Sequence, residues 1–512
     1  MDASFLLSGA ACAVLLALLY HRFSRTRLPY PPGPPGKLLT GNWHQLPQVQ
    51  PWLAYTSWAT QYGPLVHMRI LNQHMLILNT LPPVLDLLDA RSALYSDRPF
   101  STMYHALVGR AMAVFSISSL HPRFRRYRRL LHTGLSPRAT SGYASLIEAE
   151  ARTLGAGLRD RPRDVAAHVR RNAGAVIMKL TYGWTVQGDE DYFVKLIEEA
   201  FVVGKKANAM GAWMVDAVPA MRHIPDWFPG AYFKRRAHEF REFLSLTDSA
   251  PFEWAKTQLA TEKYTESFTS RHLRPEDGHS VDAEEEDAIK WCSAALYVGG
   301  ADTTVSALTS FFYAMSLYPD VQKRAQAELD ALLSSEHRLP RVADLPYLPH
   351  TQAIVKEVLR WAPVAPLGLP HCLTDNDTYM DYSIPKGTVV FANIWAIMHD
   401  PERYPDPFRF DPERFIPDPS KSAISEQPDP RKFAFGFGRR ICPGAHFAET
   451  SLQLNIATIL TLFDISKPTD DEGREIESEV EWSTGVTTHI LNLACDVKLR
   501  SPEAAALLAQ DD

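Results

Sequence analysis

Phe435-Gly436-Phe437-Gly438-Arg439-Arg440-Ile441-Cys442-Pro443-Gly444 stands near the C-terminal end of the 512-residue chain, and its reading decides the fold. One cysteine lies between glycines, behind two arginines and directly before a proline able to start a helix. Pro443 suits the first helical position because its missing N–H would be unpaired there anyway. A helix beginning there aims its free N–H groups and positive dipole end at the sulfur, which lowers the pKa and predicts a thiolate. Gly438 and Gly444 permit backbone geometry and a close approach that a side chain would block. A flat macrocycle lying against the loop is one reason to need that.

The spacing FxxGxRxCxG resembles the haem-binding loop of the cytochrome P-450 family, with Phe435, Gly438, Arg440, Cys442 and Gly444 filling every fixed position. The resemblance implies heme b as cofactor, Cys442 as axial iron ligand, Arg440 as partner of a haem propionate and Phe435 packed beside the sulfur. Gly299-Gly300-Ala301-Asp302-Thr303-Thr304 lies inside a long helical run from Ala288 to Tyr318. Two adjacent glycines within a helix cost about 1 kcal/mol each relative to alanine, so something local must offset them. The segment matches a second family pattern, that of the helix crossing above the iron. By that resemblance Thr303 hydrogen-bonds bound dioxygen and Asp302 relays protons. Cleaving O–O heterolytically needs two protons at the distal oxygen, which suits an alcohol beside a carboxylate, while a thiolate pushes electron density from the other side.

Glu357-Val358-Leu359-Arg360 is an ExxR, whose two charged residues share one helix face. Phe408 to Phe415 resembles the family segment whose arginine completes a Glu-Arg-Arg brace, which assigns Glu357, Arg360 and Arg414 to a structural network behind the haem loop. Further propionate partners implied by family position are His371, Arg128 and Arg98. The chain departs from its relatives at Phe124, where they carry a tryptophan. Phenylalanine has no N–H, so one hydrogen bond to haem is absent or supplied by another residue.

Net charge is −6 and there is no basic tail, so nothing points to nucleic acid. The five cysteines are scattered without CxxC pairs, which suggests neither a disulfide framework nor a zinc site and fits a reduced compartment. No dinucleotide fingerprint or P-loop occurs. The resemblance therefore implies electrons from NADPH through a separate NADPH-cytochrome P-450 reductase, with cytochrome b5 as a further candidate donor. Arg125, Arg126 and Arg129, with Arg431, Lys432 and Arg439, are candidates for one basic face receiving that partner.

Ala3 to Tyr20 is apolar or small, and Arg22, Arg25 and Arg27 follow. Eighteen helical residues reach about 27 Å, near the thickness of the endoplasmic reticulum hydrocarbon layer. A cleaved signal peptide would carry its basic residues before the apolar run; here they come after it. The expectation is a retained anchor over residues 1–28 in the endoplasmic reticulum membrane, with the body cytosolic. Residues 29–36 form a stiff Pro/Gly hinge, and 29–512 a haem domain. Trp213, Met214, Val218, Trp227 and Phe228 suit either a second lipid contact or buried packing.

Leu65 to Thr80 reads as two strands about a turn at Asn72-Gln73, and a shorter β region returns around Val364 to Phe391. Pro82 to Leu333 reads mostly helical, broken near Pro99, Pro122, Pro137 and Pro162, with Tyr264 to Asp287 a polar loop leading into a helix whose N-terminus the acidic run Asp282 to Asp287 favours. The fold class is mainly α with small β-sheets: the cytochrome P-450 fold, one large domain behind a transmembrane helix. The resemblance implies a haem-thiolate monooxygenase inserting one atom of O2 into an apolar small molecule. In texture it is similar to fungal microsomal members of natural-product pathways, which act on terpenoids, polyketides or an indole. Substrate-facing candidates by family position are Phe100 to Phe115, Phe201 to Trp213, Ala301, Val364 to Leu369 and Thr484 to Thr488. Two rival readings are a same-fold isomerase or peroxide-driven enzyme, disfavoured by Asp302-Thr303, and a non-catalytic haem-binding sensor.

Overall fold

In chain order the long helices are α1 (Pro51–Tyr62), α2 (Pro122–Leu135), α3 (Ala144–Asp160), α4 (Val165–Tyr182), α5 (Tyr192–Ala207), α6 (Tyr232–Ala260), α7 (Ala283–Leu317), α8 (Pro319–Leu333), α9 (Pro349–Trp361), α10 (Ala445–Leu462) and α11 (Pro502–Ala509). The strands are β1 (Leu65–Ile70), β2 (Gln73–Leu78), β3 (His371–Cys372), β4 (Asp377–Tyr379), β5 (Tyr382–Ile384), β6 (Val389–Ala392), β7 (Phe463–Ser466) and β8 (Asp496–Leu499). This computed structural model describes residues 28–188, 190–333, 335–416, 427–470, 472–476 and 480–509. The balance is mainly α with small sheets, as expected.

Helix α7 organises the helical body. Its buried face, from Ala288 through Ser316, packs against α4, α6, α2 and α10. It begins five residues earlier than the apolar pattern predicts. Asp282 caps it by accepting the Glu285 N–H at 2.7 Å, and Glu284, Glu285 and Glu286 fill the first turn. Those acids stabilise the positive end of the helix, as expected of them, and form its first turn. The preceding polar stretch also holds one short helix, Phe268–Leu273, with a Ser267–Ser270 capping box.

The four-stranded sheet runs β1-β2-β6-β3, with β1 and β2 antiparallel and β6 parallel to β2. Ile70 already pairs with Gln73, so the turn sits at Leu71-Asn72, one residue before its predicted place, with Leu71 at φ +52°. Pro122 and Pro137 do mark breaks, each as the first residue of the next helix. Pro443 does not start α10; that helix begins at Ala445 with Gly444 as its N-cap. The first bond along it runs from the Ala448 N–H to the Gly444 carbonyl, so Pro443 serves the turn before it.

The Pro/Gly hinge is docked on the body. The Pro29 carbonyl accepts from Ser383 N–H at 2.8 Å, and that of Pro32 from His67 N–H at 2.9 Å. A methyl on Gly33 would stand 1.9 Å from the His67 carbonyl, so only glycine lets the hinge lie this close. The anchor expected over Ala3 to Tyr20 lies outside the described residues; among those described, no helix is long and apolar enough to cross a membrane. Trp213 packs, its indole donating to the Lys206 carbonyl and lying against Phe240. Trp227 and Phe228 are exposed.

Candidate active site

The cysteine loop is held from behind. Cys442 N–H donates to the Phe435 carbonyl at 2.8 Å, closing the loop on itself. Gly438 sits at φ +55°, and a methyl there would meet the Leu88 carbonyl at 2.2 Å and Ser92 Cβ at 2.7 Å. Both its conformation and its neighbour therefore demand glycine, and the neighbour is polypeptide. Gly444 differs. Its φ is −95°, and a methyl would meet only Leu135 Cδ1 at 3.5 Å and the Cys442 sulfur at 3.9 Å. Nothing in the chain forbids a side chain there, so the bare position serves a group lying against the sulfur.

The Cys442 thiol is exposed, yet surrounding protein raises its pKa; the Gly444 N–H and Arg128 pull the other way without winning. A metal cation at the sulfur is what would complete its ionisation to thiolate. Phe435 is half-buried and packs against the main core.

Arg98, Arg128, Arg440 and His371 converge nearby, and each is disfavoured in its charged form. Burial lowers Arg98 to about 9, with Arg440 adding to it and Asp97 opposing. Burial likewise lowers Arg440 to about 10, Asp97 opposing and Arg128 adding. Burial and then Arg98 and Arg440 take His371 down to about 3. Arg128 is lowered by burial and steadied by Cys442. Three half-buried arginines clustered around a neutral histidine want anions. Two haem propionates would supply that charge, and the cysteine, bare glycine and cation cluster together fit haem.

The same arginines bind backbone. Arg440 donates to the carbonyls of Ser96, Val114 and Ile117, and Arg98 to those of Phe115, Leu369 and Pro370. They fix the segment Val114 to Ile117 while one face of Arg440 lies 4.3 Å from the Phe124 ring centroid. Phe124 therefore replaces the family tryptophan with a cation–π contact to Arg440. His371 Nδ1 is bonded to the Tyr95 carbonyl at 2.7 Å.

The brace is assembled as read. Arg360 binds Glu357 in a two-pronged pair at 2.7 and 2.8 Å, and Arg414 Nε reaches the same carboxylate at 3.3 Å. Glu357 and Arg360 side chains are wholly buried and Arg414 is 4 % exposed. The carbonyls of Met398, Pro407 and Arg409 take the remaining Arg360 donors. The geometry is that of a fork on a carboxylate, with few donors left unmet.

On α7 the glycines serve packing. A methyl on Gly300 would clash with Ile177 of α4 at 2.6 Å, and one on Gly299 would meet Phe115 at 3.4 Å. Thr303 donates its hydroxyl hydrogen to the Gly299 carbonyl at 2.8 Å, which leaves its oxygen free to accept. Asp302 accepts from Thr487 and lies 3.0 Å from His489 Nε2. Burial pushes that carboxyl up, but the His489 hydrogen bond and charge, with Thr487, outweigh it and hold Asp302 below its ordinary value. His489 is absent from the sequence-derived set, and no local motif marks it.

The basic face is only partly free. Arg126 pairs with Glu285 at 3.0 Å, and Arg431 with Asp429 and Glu449. Arg125, Arg129, Lys432 and Arg439 are exposed and form no ion pair among the described residues.

The family model described as cytochrome P-450 matches residues 31–493. Cytochrome P-450 monooxygenase 208 of Postia placenta is 40% identical, over 99% of this chain and 98% of that protein. A cytochrome P-450 monooxygenase of Ampulloclitocybe clavipes is 37% identical, over 98% of this chain and 92% of that one. Another, from Coprinopsis cinerea, is 38% identical over 97% and 96%. The crystal structure of the cytochrome P-450DA heme domain superposes with a TM-score of 0.73 at 21% identity, covering 93% of this chain and 99% of that chain.

Proposed function

The chain belongs to the cytochrome P-450 family and is a monooxygenase, and from that premise we propose that it oxidises an apolar secondary metabolite, a terpenoid, polyketide or indole. Electrons come from NADPH through a separate reductase. Residues 1–28 anchor it in the endoplasmic reticulum membrane, with residues 29–512 as the cytosolic haem domain. The observation that carries this reading is the cluster of half-buried arginines, Arg98, Arg128 and Arg440, around His371 and beside Cys442, with Phe115, whose carbonyl Arg98 binds, seated against Gly299 of the helix bearing Asp302 and Thr303.

Bound haem would supply the activation of O2 and the transfer of one oxygen atom to substrate. Cys442 would ligate its iron, and Arg98, Arg128 and Arg440, with His371 beside them, would hold its propionates. Thr303, its hydrogen committed to Gly299, offers its oxygen as an acceptor and can hold a water or a protonated oxygen in place. Asp302 next to it, held as carboxylate by Thr487 and His489, can take up a proton and pass it on. Phe115, seated against Gly299, and the segment Val364 to Leu369 supply apolar surface for a membrane-soluble substrate.

The test is reconstitution with reductase, followed by Thr303→Ala. The expected result is that NADPH is still consumed while hydrogen peroxide replaces oxidised product. Undiminished product would remove Thr303 from this role. In the native host, Cys442→Ala should abolish one metabolite and accumulate a compound lighter by one oxygen atom, which names the substrate. Turnover supported by peroxide and indifferent to NADPH would instead identify a reductase-independent enzyme.

A further inference from the structure

We propose that His489 is the residue through which Asp302 exchanges protons with solvent, so that the hairpin ending the chain's last irregular segment is part of the proton supply. The proposal rests on the monooxygenase reading and adds to it the route by which protons reach α7.

The hairpin is firmly placed. Trp482 and Ile490 form a β-bridge, and the Ser483 and His489 backbones bond at 2.8 Å, with the Ser483 hydroxyl accepting the His489 N–H at 2.9 Å. Its tip is stapled on two sides. Thr488 N–H donates to the Val364 carbonyl at 2.9 Å and its hydroxyl to that of Pro363 at 3.2 Å. The Thr488 carbonyl in turn accepts the Ser306 hydroxyl at 2.5 Å. Asp302 and Ser306 are four residues apart, hence on one face of α7, and residues 487–489 lie along that face.

Both oxygens of Asp302 are taken. Thr487 donates to one, and His489 Nε2 lies 3.0 Å from the other. The Asp302 side chain is itself 22 % exposed, so these two side chains hold the carboxylate at the edge of solvent. Of the two, the threonine hydroxyl cannot deliver a proton without becoming an alkoxide, whereas an imidazole both takes up and releases one. The His489 side chain is 25 % exposed, and its Nδ1 has no partner among the described residues. The other charged group acting on Asp302 is Arg170 of α4, a permanent cation that gives up no proton.

The step balances as a single proton transfer. The imidazolium Nε2 proton passes to Asp302 Oδ1, leaving neutral imidazole and a carboxyl. Rotation of the partly exposed ring then brings that nitrogen to water, where it takes up a new proton. Asp302 then passes its proton on through a water that donates to the Thr303 oxygen, that water releasing one of its own protons inward, and returns to carboxylate. His489 never touches the reacting oxygen, so it is a positioning and proton-supplying residue.

His489→Gln keeps an N–H donor facing Asp302 but cannot carry a proton, and it separates supply from mere placement. With saturating reductase, the holoenzyme variant should oxidise NADPH about tenfold more slowly, a modest part of what general acid catalysis contributes. Its rate should fall further in D2O than the parent's does, and the haem spectrum should be unchanged. Thr487→Val, which removes the other hydrogen bond and no proton carrier, should leave the isotope ratio parent-like even where its rate falls. Parent-like rate and isotope ratio in His489→Gln overturn the proposal. A thermal-unfolding cycle of His489→Gln with Asp302→Asn reads the pairing without turnover: additive shifts also overturn it, and non-additive shifts are expected. A parent that oxidises no substrate at all defeats the monooxygenase reading instead, and the proposal falls with it.

Discussion

Two glycines of one motif do different things, and residue-scale substitution separates them. Gly438 is pinned by its φ of +55° and by the Leu88 carbonyl 2.2 Å from where a methyl would sit. Gly438→Ala should therefore cost about 3 kcal/mol or more, through left-handed strain plus a forced backbone shift, and lower the unfolding midpoint with or without haem. Gly444 has room in the polypeptide, so Gly444→Ala should change apoprotein stability by about 1 kcal/mol or less. Its damage should appear as weakened haem retention, because the methyl would stand 3.9 Å from the sulfur. Equal effects of both variants on the apoprotein would contradict this division. The Phe124 contact makes a similar claim. Phe124→Leu keeps an apolar side chain but removes the ring face under Arg440, a loss of about 1 kcal/mol. Haem transfer to an excess of a competing haem-binding protein should accelerate about fivefold, as that energy implies, and Phe124→Tyr should restore it.

At the scale of elements, the hinge is latched by a pair of histidines. Tyr30 stacks on His67, whose Nε2 is 2.9 Å from His74 Nδ1. Burial, then His74 and Arg69, lowers His67 from 6.5 to about 4. Above pH 6.5 the folded and unfolded states both hold it neutral, and its contribution is complete. As pH falls toward 4 the unfolded chain binds a proton the fold refuses, so stability is lost across that window, by up to about 3 kcal/mol. His67→Gln lacks this titration. Its urea-unfolding deficit relative to the parent should shrink between pH 7.5 and pH 4.5, and a constant deficit would show that the pair is not a latch. Much at this scale was legible in the sequence. The alternation in β1 and β2 and the apolar run of α7 have periods that packing imposes directly. The first residue of α7 was not, because its first turn is solvated and acidic, where hydrophobic period is silent and capping decides. The brace was legible because a fork on a carboxylate recurs as a fixed spacing. Asp302 with Thr487 was not: the two are 185 residues apart, and only tertiary folding brings the hairpin to the helix.

For the whole molecule, charge must reconcile a net −6 with a partner that delivers electrons, and pairing decides which positive residues count. The acidic first turn of α7 reaches across to α2: Arg123 binds Glu284 and Asp287, and Arg126 binds Glu285. These arginines fasten two helices and contribute little outward field. Arg125 and Arg129 are exposed on the same helix without ion pairs among the described residues. They border one surface hollow with Arg126 and Glu285. Surface charge of this kind mainly sets encounter rate, and salt screens it over about 10 Å at 0.1 M. Arg125→Glu with Arg129→Glu should therefore slow reductase-driven haem reduction about tenfold at low ionic strength, with the gap closing toward 0.5 M salt. Reduction by dithionite and the haem spectrum should not change. Arg126→Glu should behave differently. Facing Glu285, it sets two carboxylates together and loosens α2 from α7, so its first symptom is a lower unfolding temperature at any salt. Unchanged electron transfer at low salt in the double variant would place the docking face elsewhere on the molecule, and a salt-independent defect would mean that the arginines act by contact instead of by field.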